Sequence, residues 1–281
     1  MLRHLAHAAA LSLLAVSSAY AGGLSEPAYN WSGFYVGGAL GVGWGENSFS
    51  TFVPADSEIN DDARTAITKS GTFNFTDESF IGGPQVGVNY QTGNIVFGFQ
   101  ADVNFGIKQD RKKGPHVVPG SDGVVVLEVD KVDYDWLATF RPRIGIARGP
   151  WLFYVTGGVA VADVDVSKSF SWDFEDGCPQ KAGLEECHVG GRSKTSAAGT
   201  IGGGFEWAFG RRLSLQAEYL FIDGFGDAKF TTFNRGSDFD PGDQTAEHKF
   251  ESDNMQLIRI GLNWKFGGGH EATAMEAPPL K

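Results

Sequence analysis

From Ile95 to Ile107 every odd position is apolar: Ile95, Phe97, Phe99, Ala101, Val103, Phe105 and Ile107. Most of the positions between them (Gly98, Gln100, Asp102, Asn104, Gly106) are polar or tiny, Val96 excepted. Successive side chains of a strand point to opposite faces, so this period predicts a two-faced ribbon. It is 13 residues long, against roughly 5 to 6 for strands of soluble sheets. A tilted strand crosses a bilayer in roughly 9 to 11 residues, and this ribbon is long enough to do so.

The same period picks out seven more ribbons: Trp31 to Trp44, Ser79 to Gln91, Val132 to Ala147, Trp151 to Val166, Thr195 to Phe209, Leu213 to about Phe225, and Asn254 to Phe266. Three connections are tight turns built on Gly and Pro: Thr92-Gly93-Asn94, Arg148-Gly149-Pro150 and Gly210-Arg211-Arg212. The other four, near 45 to 78, 108 to 131, 167 to 194 and 226 to 253, are long, polar and acidic. Inside a soluble domain, long structureless loops would count against the strand assignments. Strict short and long alternation with an even strand count instead predicts an all-β, eight-stranded antiparallel up-and-down transmembrane barrel, with short periplasmic turns and four long extracellular loops.

Alternation alone does not decide which face is inside, since a soluble lipocalin-like barrel has the same period with its apolar face inward. Two features favour apolar-out. Charges on the less apolar face recur on several strands, and aromatic residues gather near strand ends: Trp31, Phe34 and Trp44, Tyr134 and Trp136, Trp151 and Phe153, Trp207 and Phe209, Trp264 and Phe266. Two such clusters are the interfacial girdles of a membrane barrel. An eight-stranded barrel has a bore just wide enough for side chains. Asp102, Asp133, Asp135, Arg141, Arg143, Glu206, Glu218 and Arg259 are therefore predicted to meet in the lumen as a plugging ionic network, since buried charges persist only when paired. A water-filled solute channel lined by the same residues is the alternative. Pro84 and Pro142 fall inside strands and predict a local bulge or a lost ladder bond.

The chain begins with an export pattern: Arg3, an apolar run from Ala8 to Val16, then Ala19-Tyr20-Ala21. This divides it into a cleaved signal (1–21), a short periplasmic lead (22–30), the barrel (31–266) and a Gly- and Pro-rich periplasmic tail (267–281). The formal charge is -11, and removing Arg3 with the signal makes it -12, which argues against nucleic acid as a partner. The two cysteines, Cys178 and Cys187, share one polar stretch. Oxidising export favours a disulfide worth roughly 2 to 3 kcal/mol, with a metal pair or two free thiols as the other readings.

Catalytic signals are weak. His116, His188, His248 and His270 all fall in regions read as loops or tail. No Gly-x-Ser-x-Gly, His-Glu-x-x-His or phosphate-binding loop is present. Asp238-Phe239-Asp240-Pro241-Gly242-Asp243 lacks the full calcium-loop pattern and reads as a solvated acidic loop. Lys108, Arg111, Lys112 and Lys113 lie where lipopolysaccharide phosphates would sit, which makes phosphate pairing one reading and ordinary loop charge the other. The expectation is a non-enzyme without cofactor or metal.

Tyr29-Asn30-Trp31-Ser32-Gly33-Phe34-Tyr35-Val36-Gly37-Gly38 resembles the opening strand of the small porin-like outer-membrane proteins of alphaproteobacteria, relatives of the opacity-protein barrels. Tyr154 to Ala160 and Gly202 to Trp207, leading through Leu213 to Ala217-Glu218-Tyr219, are similar to the same family. The closing Arg259-x-Gly261-x-x-Trp264-x-Phe266 is similar to the signal read by the outer-membrane assembly machinery. The family usually stops at the terminal Phe, whereas this chain continues to Lys281. The resemblance implies an integral outer-membrane barrel, surface-exposed and often antigenic, whose members are variously called porins, structural proteins or haem binders. Its expected partners are outer-membrane lipid, lipopolysaccharide and the assembly machinery, and its expected role is structural.

Overall fold

The computed structural model describes residues 29–55, 61–117, 125–172, 187–234 and 244–266. The proposed signal and tail, Cys178 and the 238–243 loop lie outside them. Ten strands form one antiparallel sheet: β1 Gly33–Phe52, β2 Phe73–Thr92, β3 Ile95–Asn104, β4 Ile107–Val117, β5 Val125–Arg148, β6 Trp151–Trp172, β7 Cys187–Ala208, β8 Leu213–Ile222, β9 Gly226–Asn234 and β10 Gln244–Lys265. β1 pairs with β10, so the sheet closes on itself. β3 and β4 both pair with β5 end to end, and β8 and β9 both lie between β7 and β10. Ten strands less these two continuations leave eight positions around the barrel.

Strands reach well past the predicted boundaries, because much of each region read as loop is strand. β1 runs on to Phe52, β2 starts at Phe73, and β5 spans 24 residues from Val125. At about 3.3 Å per residue β5 is about 80 Å long, more than a tilted crossing of a bilayer of about 30 Å requires. The staves therefore stand far out beyond the lipid on the side away from the tight turns. A ten-residue helix, α1 (Asp61–Ser70), lies between β1 and β2. Among the described residues no helix is long and apolar enough to span a membrane.

The apolar face points outward. Phe97, Phe99 and Phe140 are 48%, 44% and 49% exposed, whereas Arg141 and Glu218 are 0% and 5% exposed. Near the tight turns Trp151 stacks on Trp207 at 6.0 Å, and Phe153, Phe205 and Phe209 extend the cluster. Two aromatic residues assigned to the girdles lie elsewhere. Tyr134 is buried inside the barrel against Phe225. Trp31 precedes β1, and is buried against Val96, Ala147, Leu152, Tyr154 and Ala208 at the short-turn mouth. Its backbone N–H donates to Gln91 Oε1 at 2.7 Å, so part of the lead folds into the barrel.

Two bulges divide the interior into levels. In β5 the register slips at Asp135, between Tyr134 and Trp136; in β10 it slips at Asp253, opposite the Glu46/Asn47 step. An extra residue exchanges the inward and outward sets beyond it. Thus Leu137, Thr139, Arg141 and Arg143 are buried on the turn side of the β5 bulge, and Val132 and Tyr134 beyond it. In β10, Leu257, Arg259 and Asn263 give way to Ser252, Phe250, His248 and Ala246. At the same level Gly106 (φ 99°) breaks β3 from β4, in a backbone region open chiefly to glycine.

The two prolines coincide with gaps in the ladders. Pairing of β2 with β3 stops at Gln85/Asp102 beside Pro84 and returns only as the single bridge Gly82/Phe105. Pairing of β5 with β6 skips Arg141 and Pro142, and Thr156 Oγ1 donates to the Pro142 carbonyl at 2.8 Å.

Candidate functional site

The turn-side half of the lumen is polar because inward positions of eight strands carry polar or charged groups. Asp102 stands on β3, Arg141 and Arg143 two residues apart on β5, Glu206 on β7, Glu218 on β8 and Arg259 on β10, all at most 5% exposed. Register makes Arg259 and Glu218 direct cross-strand neighbours, and likewise Asp102 and Thr139.

Asp102 is the hub. It lies 2.7 Å from Arg141 Nη2 and 2.7 Å from Arg259 Nη1, and accepts from Thr139 Oγ1 at 2.8 Å and Asn104 Nδ2 at 2.6 Å. Glu218 closes the quartet, 3.0 Å from Arg141 Nη1 and in contact with Arg259 Nη2. Two cations face two anions across the bore. A further pair lies toward the turns: Arg143 Nη1 is 3.2 Å from Glu206 Oε2. Its guanidinium is held between the Tyr35 and Tyr154 rings, 5.0 Å from each centroid. Gly87 makes room for Tyr35, since a Cβ there would stand 2.3 Å from the ring.

Amides join the two groups. Gln85 donates to Gln216 at 2.7 Å and to Asn263 at 2.6 Å; Asn263 donates to Glu206 at 3.0 Å. Tyr35 donates to Gln100 at 2.8 Å and Tyr154 to Glu218 at 3.0 Å. Such a network contributes little net stability over an apolar filling, but removing one member leaves an uncompensated buried charge.

Of the eight charges assigned to the lumen, six lie there. Asp133 and Asp135 do not. Asp133 faces Asp165 across the β5/β6 register on the outer side, and Asp135 is the exposed bulge residue. Asp135 is the slip itself and Asp133 lies beyond it, where the faces are exchanged, so extrapolating the period from Arg141 misplaces both. The amides and tyrosines that complete the network had a usable signal, because each occupies an inward position of the same period as the charges.

From the level of the bulges outward the lumen is apolar, with Leu137, Leu220, Ile222 and Leu257 just on the turn side of the slips and Phe49, Val132, Val164, Phe225 and Phe250 at or beyond them. Farther out lies a second polar group: Lys168 Nζ is 2.9 Å from Asp130 Oδ1, and Thr51 and Thr232 flank His248 at 2.9 and 3.1 Å. Burial holds His188 down to about 4; burial, with the Lys168 charge as the smaller cause, holds His248 down to about 3. Both histidines, expected in loops, are buried in strands β7 and β10. Among the described residues no cluster of three or more His, Cys, Asp or Glu could hold a metal. β4 carries Lys108, Arg111, Lys112 and Lys113 in its backbone, and Cys187 opens β7; their side chains, and the Cys178 pairing, lie outside the described residues. In the closing motif Arg259 and Gly261 face the lumen, while Trp264 and Phe266 face outward at the short-turn end.

A closed, apolar-out barrel matches what comparison with known proteins finds. The model of the outer membrane protein beta-barrel domain matches residues 6–266. The chain belongs to this family. It is similar to the 31 kDa outer-membrane immunogenic protein of Brucella melitensis, 28% identical over 250 residues covering 85% of each chain. It is also similar to the 22 kDa outer membrane protein of Rhizobium leguminosarum, 27% identical over 216 residues, 76% of this chain and 75% of that one. Among solved structures, OprG of Pseudomonas aeruginosa is similar over 87% of this chain and all of its own, at 13% identity and a TM-score of 0.48. The protein is an integral outer-membrane β-barrel.

Proposed function

We propose that this barrel is a structural element of the outer membrane that does not conduct, its lumen plugged by paired charges, and that its loop-side end faces the exterior and presents an acidic surface there. The observation that carries the reading is the complete burial of the Arg141/Arg259/Asp102/Glu218 quartet, with the apolar filling stacked above it. Water and solutes would have to displace both layers, and breaking even one buried pair costs about 3 to 5 kcal/mol. The mechanism is physical: the apolar belt anchors the barrel in lipid, and the long staves hold surface segments clear of the membrane. That relatives are named immunogenic outer-membrane proteins supports an exposed loop-side end. Lipid, lipopolysaccharide and, through Trp264 and Phe266, the assembly machinery are the proposed partners.

Single-channel recording in planar bilayers tests the plug. The expected trace is silent, and steady conductance of porin size would refute the reading in favour of a small passive channel.

A further inference from the structure

Beyond the bulges the wall is parted in two places. The ladder between β7 and β8 ends at Thr200/Ile222, and β7 meets β9 again only at Val189/Phe233 and His188/Asn234. The register is the same at both ends of this gap, so no inserted residue accounts for it, and the strands have drawn apart between two matched points. Across the barrel, among the described residues, no ladder joins β2 to β4 beyond the single bridge Gly82/Phe105. The outer half is therefore two four-stranded leaves, β2-β1-β10-β9 and β4-β5-β6-β7. They pack face to face over the apolar layer, as the sheets of a sandwich do.

At the β7/β9 gap side chains stand in for the missing ladder. Register with β6 sets Arg192 opposite Val166 and Lys194 opposite Val164, and both valines are buried, so the two cations belong to the inward row. Both are nevertheless exposed, because the gap opens beside them. Arg192 Nη1 donates to the Lys229 carbonyl at 3.2 Å, and Lys194 Nζ to the Asp227 carbonyl at 3.3 Å. A Cβ on Gly190 would collide with the next carbonyl of that edge, Thr231. One edge of β9 is thus held by its ladder to β10, the other by two solvent-facing side chains and two terminal pairs. β9 also starts from a break: Gly224 (φ 55°) and Gly226 (φ 76°) turn the chain beside the Asp253 slip. On the outward row of β7 the last large apolar residue before the gap is Ile201, 64% exposed, and Gly199, Ala197, Thr195 and Ser193 follow. The gap therefore begins at the outer edge of the lipid belt.

We propose that the outer half of the barrel opens along this seam, with Arg192 and Lys194 as the clasp, and that opening uncovers the apolar layer between the leaves. Exposed ionic side chains hold weakly, and a wall yields where its bonds are fewest and most solvated.

The test uses the full chain in nanodiscs, with its own cysteines changed to Ser (C178S/C187S) and one cysteine introduced as a reporter. A228C lies inward on β9 at a site 6% exposed; A160C lies inward on β6 at a site 0% exposed, between complete ladders at the level of Thr139. Labelling by a small, charged thiosulfonate is timed. In R192M/K194M the A228C rate is expected to rise about tenfold, the equivalent of about 1.4 kcal/mol for two exposed bonds, while the A160C rate stays unchanged. R192K/K194R keeps both donors and restores the slower rate. Heat modifiability on a detergent gel confirms folding, and R192M and K194M singly, at about threefold each, carry the test if the double variant does not fold. No acceleration at A228C, the same acceleration at A160C, or no recovery in R192K/K194R would overturn the proposal. Conductance through the lumen would raise both rates before the clasp is touched, whereas only seam opening makes A228C depend on the clasp.

Discussion

Asp102→Asn keeps the shape of the hub and removes its charge. Asp102 is 4% exposed and faces Arg141 and Arg259 at 2.7 Å each; after the change these two cations share only Glu218. A buried pair broken from one side costs about 3 to 5 kcal/mol, most of it the desolvation of the charge left behind. The asparagine keeps one acceptor oxygen, so hydrogen bonding from Thr139 and one guanidinium survives, and the lower part of that range, about 3 kcal/mol, is expected. Urea unfolding in detergent micelles, followed by tryptophan fluorescence, measures it. The double variant D102N/R259M restores neutrality, leaving Arg141 with Glu218, and is expected to recover about half of the loss, because an apolar replacement of a buried ion pair is close to neutral. A loss below about 1 kcal/mol for D102N, the range of a solvated surface pair, would mean that water reaches the quartet. The plugged lumen would then be wrong.

The outer wall and the outer polar layer give two more tests. Phe99→Lys places a charge on the lipid face of β3 and is expected to cost about 2 to 4 kcal/mol in bilayers, measured by urea-driven folding into vesicles; a cost near zero would contradict the apolar-out assignment. His188 and His248, held down to about 4 and about 3, take up protons on unfolding at about 6.5. Their contribution is therefore complete above about pH 6.5 and is lost as pH falls toward 4 and 3, with a slope of up to about 1.4 kcal/mol per pH unit for each. His248→Gln should flatten the stability profile between pH 6 and 4, and an unchanged slope would show that His248 is solvated.

What could be read in the chain was whatever is encoded within one strand and its turns. Phe97, Phe99, Phe140 and their partners alternate because lipid demands an apolar outer row, and Gly93 and Gly149 take the positive φ values that tight turns require. The charges of Arg141, Arg143, Glu206, Glu218 and Arg259 lie on the face the period assigns to them. The outer halves of the staves were hidden for a physical reason. Beyond the lipid the outward row is polar, as with Glu247, Lys249 and Glu251 on β10, so only the inner row of Ala246, His248 and Phe250 carries the signal and the stretch reads as loop. Tyr134, Asp133 and Asp135 were misplaced because a bulge leaves little trace in the strand that carries it.

The sequence by itself determined the closed, apolar-out architecture and which charges were available to fill it, since hydrocarbon outside and a narrow bore inside leave few other arrangements. Tertiary structure decided where the faces exchange, that an apolar layer lies above the ionic one, and that Trp31 packs at the turn-side mouth. Those outcomes depend on register between strands distant in the chain. Register is set jointly by the partners, through slips at Asp135 and Asp253 that neither strand specifies alone.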